Sequence, residues 1–210
     1  MSEWQNKVAE AAQFLSAKDP ILAGVIRTSP LPDFSPHTSY YQELVESIIS
    51  QQLSVKAAAT ILERFRELFA STFPEPKDIL SKDIEQFRAV GLSRQKASYI
   101  RDLAEKVIDG TIHFEHLDAL SNQEVIDELI QVKGVGMWTV HMFLLFCMGR
   151  LDVLPTGDLG IRNGIQKLYN LSARPTSEEV EAIANTNGWH PYESIASWYI
   201  WRSLDNMPSL

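Results

Sequence analysis

Apolar side chains recur every three to four positions along most of the chain, which is the period of a helix with one buried face. The pattern is clearest over residues 41–49 and 100–108. It also predicts helices over about 3–17, 54–69, 83–90, 122–130, 137–148, 158–170, 177–186 and 192–205. Because no segment alternates convincingly between apolar and polar positions, the sequence predicts an all-α fold.

Segments rich in proline and glycine separate the predicted helices. Residues 28–38 hold three prolines and predict a long connector, while residues 71–78 and 153–157 predict shorter loops. Ser121, with Glu124 three positions later, forms a capping box that marks a helix start. Ser177, followed closely by acidic residues, is predicted to cap another helix.

The charge balance argues against a simple nucleic-acid binder. Acidic residues outnumber basic ones by 27 to 19, the net charge is −8, and a basic surface is the usual mark of such proteins. The charge is uneven, however, because residues 88–106 and 131–175 each hold five basic side chains against two acidic ones. These stretches indicate either ordinary solvated faces or a basic strip within an acidic total.

Cysteine content and apolar runs exclude several other classes of protein. The single cysteine, Cys147, lies in an apolar run and is predicted to be buried, and one cysteine excludes a disulfide framework or a four-thiolate cluster. The N-terminal segment lacks the apolar core of a secretory signal, and the apolar run near Met142 is too short to cross a bilayer. We therefore expect a protein that is neither secreted nor inserted in a membrane.

A glycine-containing turn between two predicted helices is the most informative local feature. In Val132–Gly136 two glycines stand two positions apart, a spacing that lets the backbone turn with positive φ. The glycines also remove side chains from the start of the second helix, where free amides at the positive end of the helix dipole bind phosphate. Such a contact needs few lysines or arginines, so it is compatible with an acidic protein.

Five sequence blocks, the hairpin among them, follow one another in order. They are IISQQLS at 48–54, GLSRQKASYIRDLA at 91–104, VKGVGMWT at 132–139, LPTGDLGIRNG at 154–164 and WHPYESIASWYIW at 189–201. With Asp158 placed 22 positions after Gly136, this order resembles the helix–hairpin–helix DNA glycosylase superfamily, and most of all its DNA-3-methyladenine glycosylase II type. The resemblance covers about residues 38–205.

The resemblance implies a two-lobed all-α fold with a cleft between the lobes and without the N-terminal β domain of larger relatives. One lobe would combine residues 1–40 with 151–210 and include the catalytic aspartate. The other would span residues 41–150 and end in the helix–hairpin–helix.

Asp158 stands where the family has its catalytic aspartate. The resemblance implies that its carboxylate stabilises the oxocarbenium-like sugar formed when a cationic alkylated purine leaves, and that it positions or deprotonates the attacking water. The residues alone indicate another role, the N-cap of the following helix. The two roles are compatible, because a helix N-terminus steadies a carboxylate.

The family assigns further roles around a base that has left the duplex. Trp138 and Trp201 match residues lining the base pocket, and Met142 stands where the bacterial relative has a pocket tyrosine. Leu53 matches the wedge that fills the gap in the stack, with Gln52 beside it able to touch base edges. From the residues alone, Leu53 is instead a core or helix-end residue.

The hairpin backbone has two implied roles in the family. Contact with a DNA phosphate is implied for Lys133, Gly134, Val135 and Gly136. A structural monovalent cation, Na⁺ or K⁺, is implied at the backbone carbonyls of Ile130, Val132 and Val135. No other cofactor is required by this chemistry.

Trp138 also separates two branches of the superfamily. Bifunctional members have a lysine at this position, and it forms a Schiff base with the sugar. Lys133 lies inside the turn and is not at that position. The sequence therefore predicts a monofunctional hydrolase rather than a glycosylase/lyase.

Other candidate residues receive structural interpretations. Trp189 and Trp198 are each predicted to lie in the core. His113 and His116 are interpreted as solvated loop residues, because no third metal ligand is evident in the sequence.

The resulting prediction is a base-excision repair enzyme that hydrolyses the N-glycosidic bond of 3-methyladenine or 7-methylguanine and leaves an abasic site. We expect a monomer whose partner is double-stranded DNA containing alkylated bases, in the cytoplasm at a bacterial nucleoid or in a eukaryotic nucleus. The alternatives are a monofunctional glycosylase for uracil, mismatched thymine or an oxidised purine, and a non-catalytic helix–hairpin–helix DNA-binding module. A further alternative is a helical scaffold in which the glycines form only a turn.

Overall fold

A computed structural model describes residues 2–69 and 73–204, and within those residues the regular structure is helical and no strand occurs. The α-helices are α1 Glu3–Lys18, α2 Pro20–Thr28, α3 Tyr40–Ser50, α4 Val55–Glu67, α5 Pro76–Leu80, α6 Ile84–Ala89, α7 Arg94–Ile108, α8 Asn122–Leu129, α9 Met137–Met142, α10 Leu159–Leu168, α11 Ser177–Thr186 and α12 Glu193–Arg202. A 3-10 helix spans Phe114–Ala119, and a π-helical segment, Phe143–Cys147, continues α9. The predicted all-α class is confirmed.

The chain forms two compact units, and the first of them is discontinuous. Unit 1 joins residues 2–36 to 144–204, and unit 2 comprises the described residues of 37–143. These boundaries differ by several residues from the predicted 40/41 and 150/151. None of the helices in the described part of the chain is both long and apolar enough to cross a membrane.

Unit 2 is built around α7. Its apolar stripe is fully buried at Ala97, Ile100, Leu103 and Ala104, and α3 contributes a matching buried stripe. Burial of such stripes is the main source of helix stability in a globular protein. Helix α8, the turn after it and α9 form the helix–hairpin–helix at the end of this unit.

Unit 1 is held by α12 and by a buried carboxylate. Every residue of α12 from Ser194 to Trp201 is buried. Asp19 is also fully buried, and it accepts hydrogen bonds from two amides of α2, from the Trp189 indole at 2.8 Å and from the Tyr169 hydroxyl. These donors satisfy an acid that would otherwise be costly to bury.

Two α-helices lie where no helix was predicted, and each begins with a proline. Helix α2 begins with Pro20 after the N-cap Asp19, and α5 begins with Pro76 after the capping-box residue Glu75. Proline suits the first helical position, where its missing N–H has no intrahelical partner. The predicted loop over 71–78 is therefore wrong from Pro76 onward, and residues 71–72 lie outside the described residues.

The predicted helix caps were partly correct. Ser121 and Glu124 form the expected capping box at the start of α8. At α11 the N-cap is Thr176 rather than Ser177, because the Thr176 hydroxyl reaches the Glu179 amide and the Glu179 carboxylate bonds back to the Thr176 amide. Cys147 is buried, as expected.

Candidate active site

Asp158 is fixed at the N-terminus of α10. It follows the predicted loop 153–157, and its own amide bonds to the Pro155 carbonyl. Its Oδ1 atom accepts the Ile161 amide at 2.8 Å, so the predicted N-cap role is confirmed. The side chain remains half-buried rather than enclosed.

A second donor orients the same carboxylate. The Trp201 indole Nε1–H, from α12, donates to Asp158 Oδ1 at 2.8 Å. Gly160 makes this approach possible, because a Cβ there would lie 2.9 Å from Trp201 Cδ1 and 3.0 Å from Asp158 Oδ1. Two N–H donors at one oxygen hold the carboxylate in one orientation.

Two of the three predicted pocket residues are covered in this structure. Trp201 is 1% exposed and Met142 has no exposed surface, whereas Trp138, in the first turn of α9, is 42% exposed. Trp201 acts here as a hydrogen-bond donor to Asp158. Trp189 and Trp198 are both buried, as predicted. A base-pocket role for Trp138, Trp201 and Met142 stays a prediction.

The two hairpin glycines have different conformations, although the sequence predicted that both served a turn with positive φ. Gly134 has φ +80°, but Gly136 has φ −102° and is the N-cap of α9. A Cβ at Gly134 would lie 2.0 Å from the Tyr99 ring, whereas one at Gly136 would meet nothing within 4 Å. Gly134 is therefore required by the fold. Gly136, which has no side chain, leaves the N-terminal end of α9 uncovered.

Lys133 is tied to the protein rather than presented freely to a ligand. Asp102 accepts its backbone amide at 2.9 Å and its ammonium at 2.9 Å. Burial opposes ionisation of Asp102, but the hydrogen bonds from Lys133 outweigh it and hold the pKa of the carboxyl below its usual value. The ion pair anchors the hairpin, and it offsets part of the charge that Lys133 would bring to a phosphate.

Leu53 lies in a turn over residues 51–53 directly after α3, here called the Leu53 turn. Of the two positions that the residues alone indicated, core or helix end, the core position is wrong. The Leu53 side chain is 37% exposed, and Gln52 beside it has a left-handed backbone with φ +57°. The Lys96 ammonium donates to the carbonyls of Ile49 and Gln51 at 2.7 and 2.5 Å. This contact neutralises the C-terminal end of α3 and fixes the start of the turn.

One face of α7 supports both the Leu53 turn and the hairpin. The Gln51 side-chain amide donates to the Gly134 carbonyl at 3.0 Å, which joins the two segments directly. Lys96, Tyr99 and Asp102, spaced three apart on α7, contact the Leu53 turn, Gly134 and Lys133 respectively. Sequence reasoning missed these supports, although their i, i+3 spacing places them on one helix face.

The basic side chains of residues 88–106 make contacts within the protein. Arg88 and Arg94 both bond Glu85 at 2.7 Å, and Arg101 bonds the Leu80 and Lys82 carbonyls. Lys106 lies 4.0 Å from Asp102. With Lys96 on the α3 carbonyls, all five basic side chains have acceptors. A basic strip over residues 88–106 stays a prediction.

Comparison with known proteins now places the chain in a family. Residues 45–188 match a protein family described as "HhH-GPD superfamily base excision DNA repair protein". The chain belongs to this superfamily.

Within the superfamily the chain is similar to several proteins named for 3-methyladenine. It is 40% identical over 165 residues to DNA-3-methyladenine glycosylase 1 of Schizosaccharomyces pombe, covering 78% of this chain and 72% of that one. The structure of a 3-methyladenine DNA glycosylase from the same yeast, in complex with abasic DNA, superimposes with a TM-score of 0.80 at 36% identity, covering 93% and 97%. A DNA-3-methyladenine glycosidase of Bacillus halodurans gives a TM-score of 0.81 at 33% identity, covering 92% and 88%.

Proposed function

We propose that the protein is a monofunctional DNA glycosylase that releases alkylated purines from double-stranded DNA and leaves an abasic site. The observation that supports this most directly is the Asp158 carboxylate, held on one oxygen by the Ile161 amide and the Trp201 indole. The relatives at 32–40% identity include proteins named as 3-methyladenine glycosylases and an alkylbase glycosidase-like protein. They support the same substrate class.

The chemistry requires little more than a fixed carboxylate. A purine alkylated at N3 or N7 is cationic and leaves without a general acid. The sugar then becomes oxocarbenium-like, and a preorganised negative charge stabilises it at the point where positive charge develops. Asp158 would also position or deprotonate the attacking water.

DNA would be bound through the hairpin and the Leu53 turn. The amides that begin α9 have no side-chain cap at Gly136, and Met137 and Trp138 are exposed beside them. Helix N-termini of this kind bind phosphate through backbone dipoles. We expect the protein to act as a monomer on genomic DNA, in the cytoplasm of a bacterium or the nucleus of a eukaryote.

The hairpin carbonyls are suited to a monovalent cation. Ile130 ends α8 as its C-cap, and the Val132 carbonyl accepts the Val135 amide, which uses one of its two lone pairs. Together with the Val135 carbonyl they would supply neutral oxygen ligands to Na⁺ or K⁺. Such an ion would add positive charge beside the phosphate-binding amides.

We expect the enzyme to leave the DNA strand intact. Trp138 occupies the position of the lyase lysine, and hydrogen bonding and the charge of Asp102 raise the pKa of Lys133, which keeps that amine protonated. A methylated, end-labelled duplex should therefore break only after hot alkali. Borohydride should trap no enzyme–DNA adduct, with an endonuclease III-type lyase on its own substrate as positive control. A covalent adduct would contradict the monofunctional assignment.

We expect Leu53→Ala to slow excision from a paired target by roughly tenfold more than from an unpaired one. Extruding a paired base costs a few kcal/mol, of which a wedge would offset part, and tenfold corresponds to about 1.4 kcal/mol. The melting temperature should hardly change, because Leu53 is exposed. Val55→Ala is the matched control, since Val55 is 77% exposed two positions later. Equal losses on both substrates would rule out the wedge.

A further inference from the structure

Two histidines and a glutamate lie together beside the helix that leads into the hairpin. His113 is the N-cap of the 3-10 helix, His116 lies within it, and Glu128 is in α8. One ligand atom from each residue can be chosen so that all three lie within 4.8 Å of one another. The sequence alone offered no third candidate ligand near the histidines, because Glu128 lies on a helix 12 positions after His116 and reaches them only in the folded chain.

The carboxylate of this trio is held in place by the protein. Glu128 Oε1 accepts the His113 backbone amide at 2.7 Å, and Oε2 lies 2.8 Å from His116 Nε2. The Glu128 side chain is only 13% exposed, whereas the His116 side chain is 47% exposed. The anchoring amide acts as an outer-shell contact of the kind that orients ligating carboxylates. The two imidazoles stand at the surface, their ring centroids 5.3 Å apart.

We propose that His113, His116 and Glu128 bind a divalent transition-metal ion of the Zn²⁺ class. Two imidazole nitrogens and one carboxylate oxygen are a ligand set that zinc takes, with water completing the tetrahedron. Ligand atoms about 2.0–2.2 Å from a tetrahedral ion lie roughly 3.3 Å apart. The His116–Glu128 pair, at 2.8 Å, would therefore open by about half an ångström, and a separation as wide as 4.8 Å would close by about 1.5 Å. Rotation of the two exposed imidazoles can make both changes.

The expected consequence of binding is stabilisation of the segment before the hairpin. The ion would join the 3-10 helix to the last turn of α8, and Glu128 lies two residues before Ile130, where the hairpin begins. A ligand that binds only the folded chain raises its melting temperature. Because the ligands must be deprotonated, binding should weaken on acidification.

The test is metal titration of the full chain after chelator treatment and dialysis. Calorimetry with Zn²⁺ should show one equivalent bound with Kd of about 10 µM or tighter. Saturation should raise the melting temperature by at least about 2–4 °C. Co²⁺ should give the visible absorption of a tetrahedral site, and millimolar Mg²⁺ should have no effect because it prefers oxygen ligands in octahedral geometry.

Variants distinguish this site from adventitious binding. His113→Ala and His116→Ala should each weaken Zn²⁺ binding at least tenfold, and both positions are exposed, so the fold should persist. His37→Ala is the matched control, because His37 forms a comparable pair with Glu43 at 2.9 Å but belongs to no group of three candidate ligands among the described residues. Equal binding by all variants, or no saturable Zn²⁺ binding by the wild type, would overturn the proposal.

Discussion

Replacement of Asp158 by asparagine should reduce release of alkylated bases at least about 100-fold, the scale of losing one preorganised electrostatic stabiliser. The asparagine oxygen can still accept the Ile161 amide and the Trp201 indole, so the N-cap and the fold should be retained. Only the negative charge beside the developing oxocarbenium is lost. Affinity for undamaged duplex should therefore stay within about twofold of the wild type. The charge acts on the transition state, whereas duplex binding depends on contacts that are equally strong before and during the reaction.

The control for this substitution lies in the same loop. Asp152→Asn makes the same chemical change six positions earlier, at an exposed side chain, and should leave turnover unchanged. Both variants should be compared at equal folded concentration, verified by circular dichroism. Near-normal turnover by folded Asp158→Asn would show that the carboxylate is only a helix cap.

Gly134→Ala should destabilise the protein by roughly 2–4 kcal/mol, from a strained positive φ together with overpacking. The new Cβ would lie 2.0 Å from Tyr99 Cδ2, so the Tyr99 ring on α7 must shift away from the hairpin. Thermal denaturation should show a fall of about 5–15 °C in melting temperature. Duplex affinity should fall as well, since the hairpin is displaced from its support.

Gly136→Ala separates the fold from the phosphate contact. Its Cβ meets nothing within 4 Å and its φ is negative, so the melting temperature should change by only a few degrees. A methyl group at the open end of α9 should nevertheless weaken DNA binding severalfold by keeping a phosphate from the amides. Unchanged affinity in this variant would mean that the hairpin amides do not bind the DNA backbone.

For Gly134→Ala, an unchanged melting temperature would contradict the close packing of Tyr99 against Gly134.

Local rules predicted the helices well where a cap and an apolar stripe agreed. Ser121 with Glu124 predicted the start of α8, and Asp158 was correctly identified as a candidate cap. The same rules failed at Pro76, which was placed in a loop, and no helix was predicted at Pro20, although each proline follows an acidic cap. The signal was present in the sequence, since proline after a capping residue is a helix start.

The site itself was predictable only in part, because its supports depend on long-range contacts. A motif could indicate Asp158, but the Trp201 indole that orients it comes from 43 positions later. The Asp102–Lys133 pair joins residues 31 apart, and Gln51 meets Gly134 across 83 positions. The exposure of the Leu53 side chain could not be predicted, because the helical stripe allowed either a core or a helix-end position. The apolar periodicity of a segment indicates which face of its own helix is buried, but it does not indicate which other segments that helix contacts.

The most direct test of the central claim is chromatography of the bases released from a methylated DNA duplex. We expect the wild-type protein to release 3-methyladenine and 7-methylguanine as free bases, and to release little or no uracil or 8-oxoguanine from matched duplexes. Neutral bases are poorer leaving groups and would need activation beyond a single carboxylate. Binding to the methylated duplex without release of any base would contradict the assignment as a glycosylase. Preferential release of a neutral base would contradict the assignment to alkylated purines.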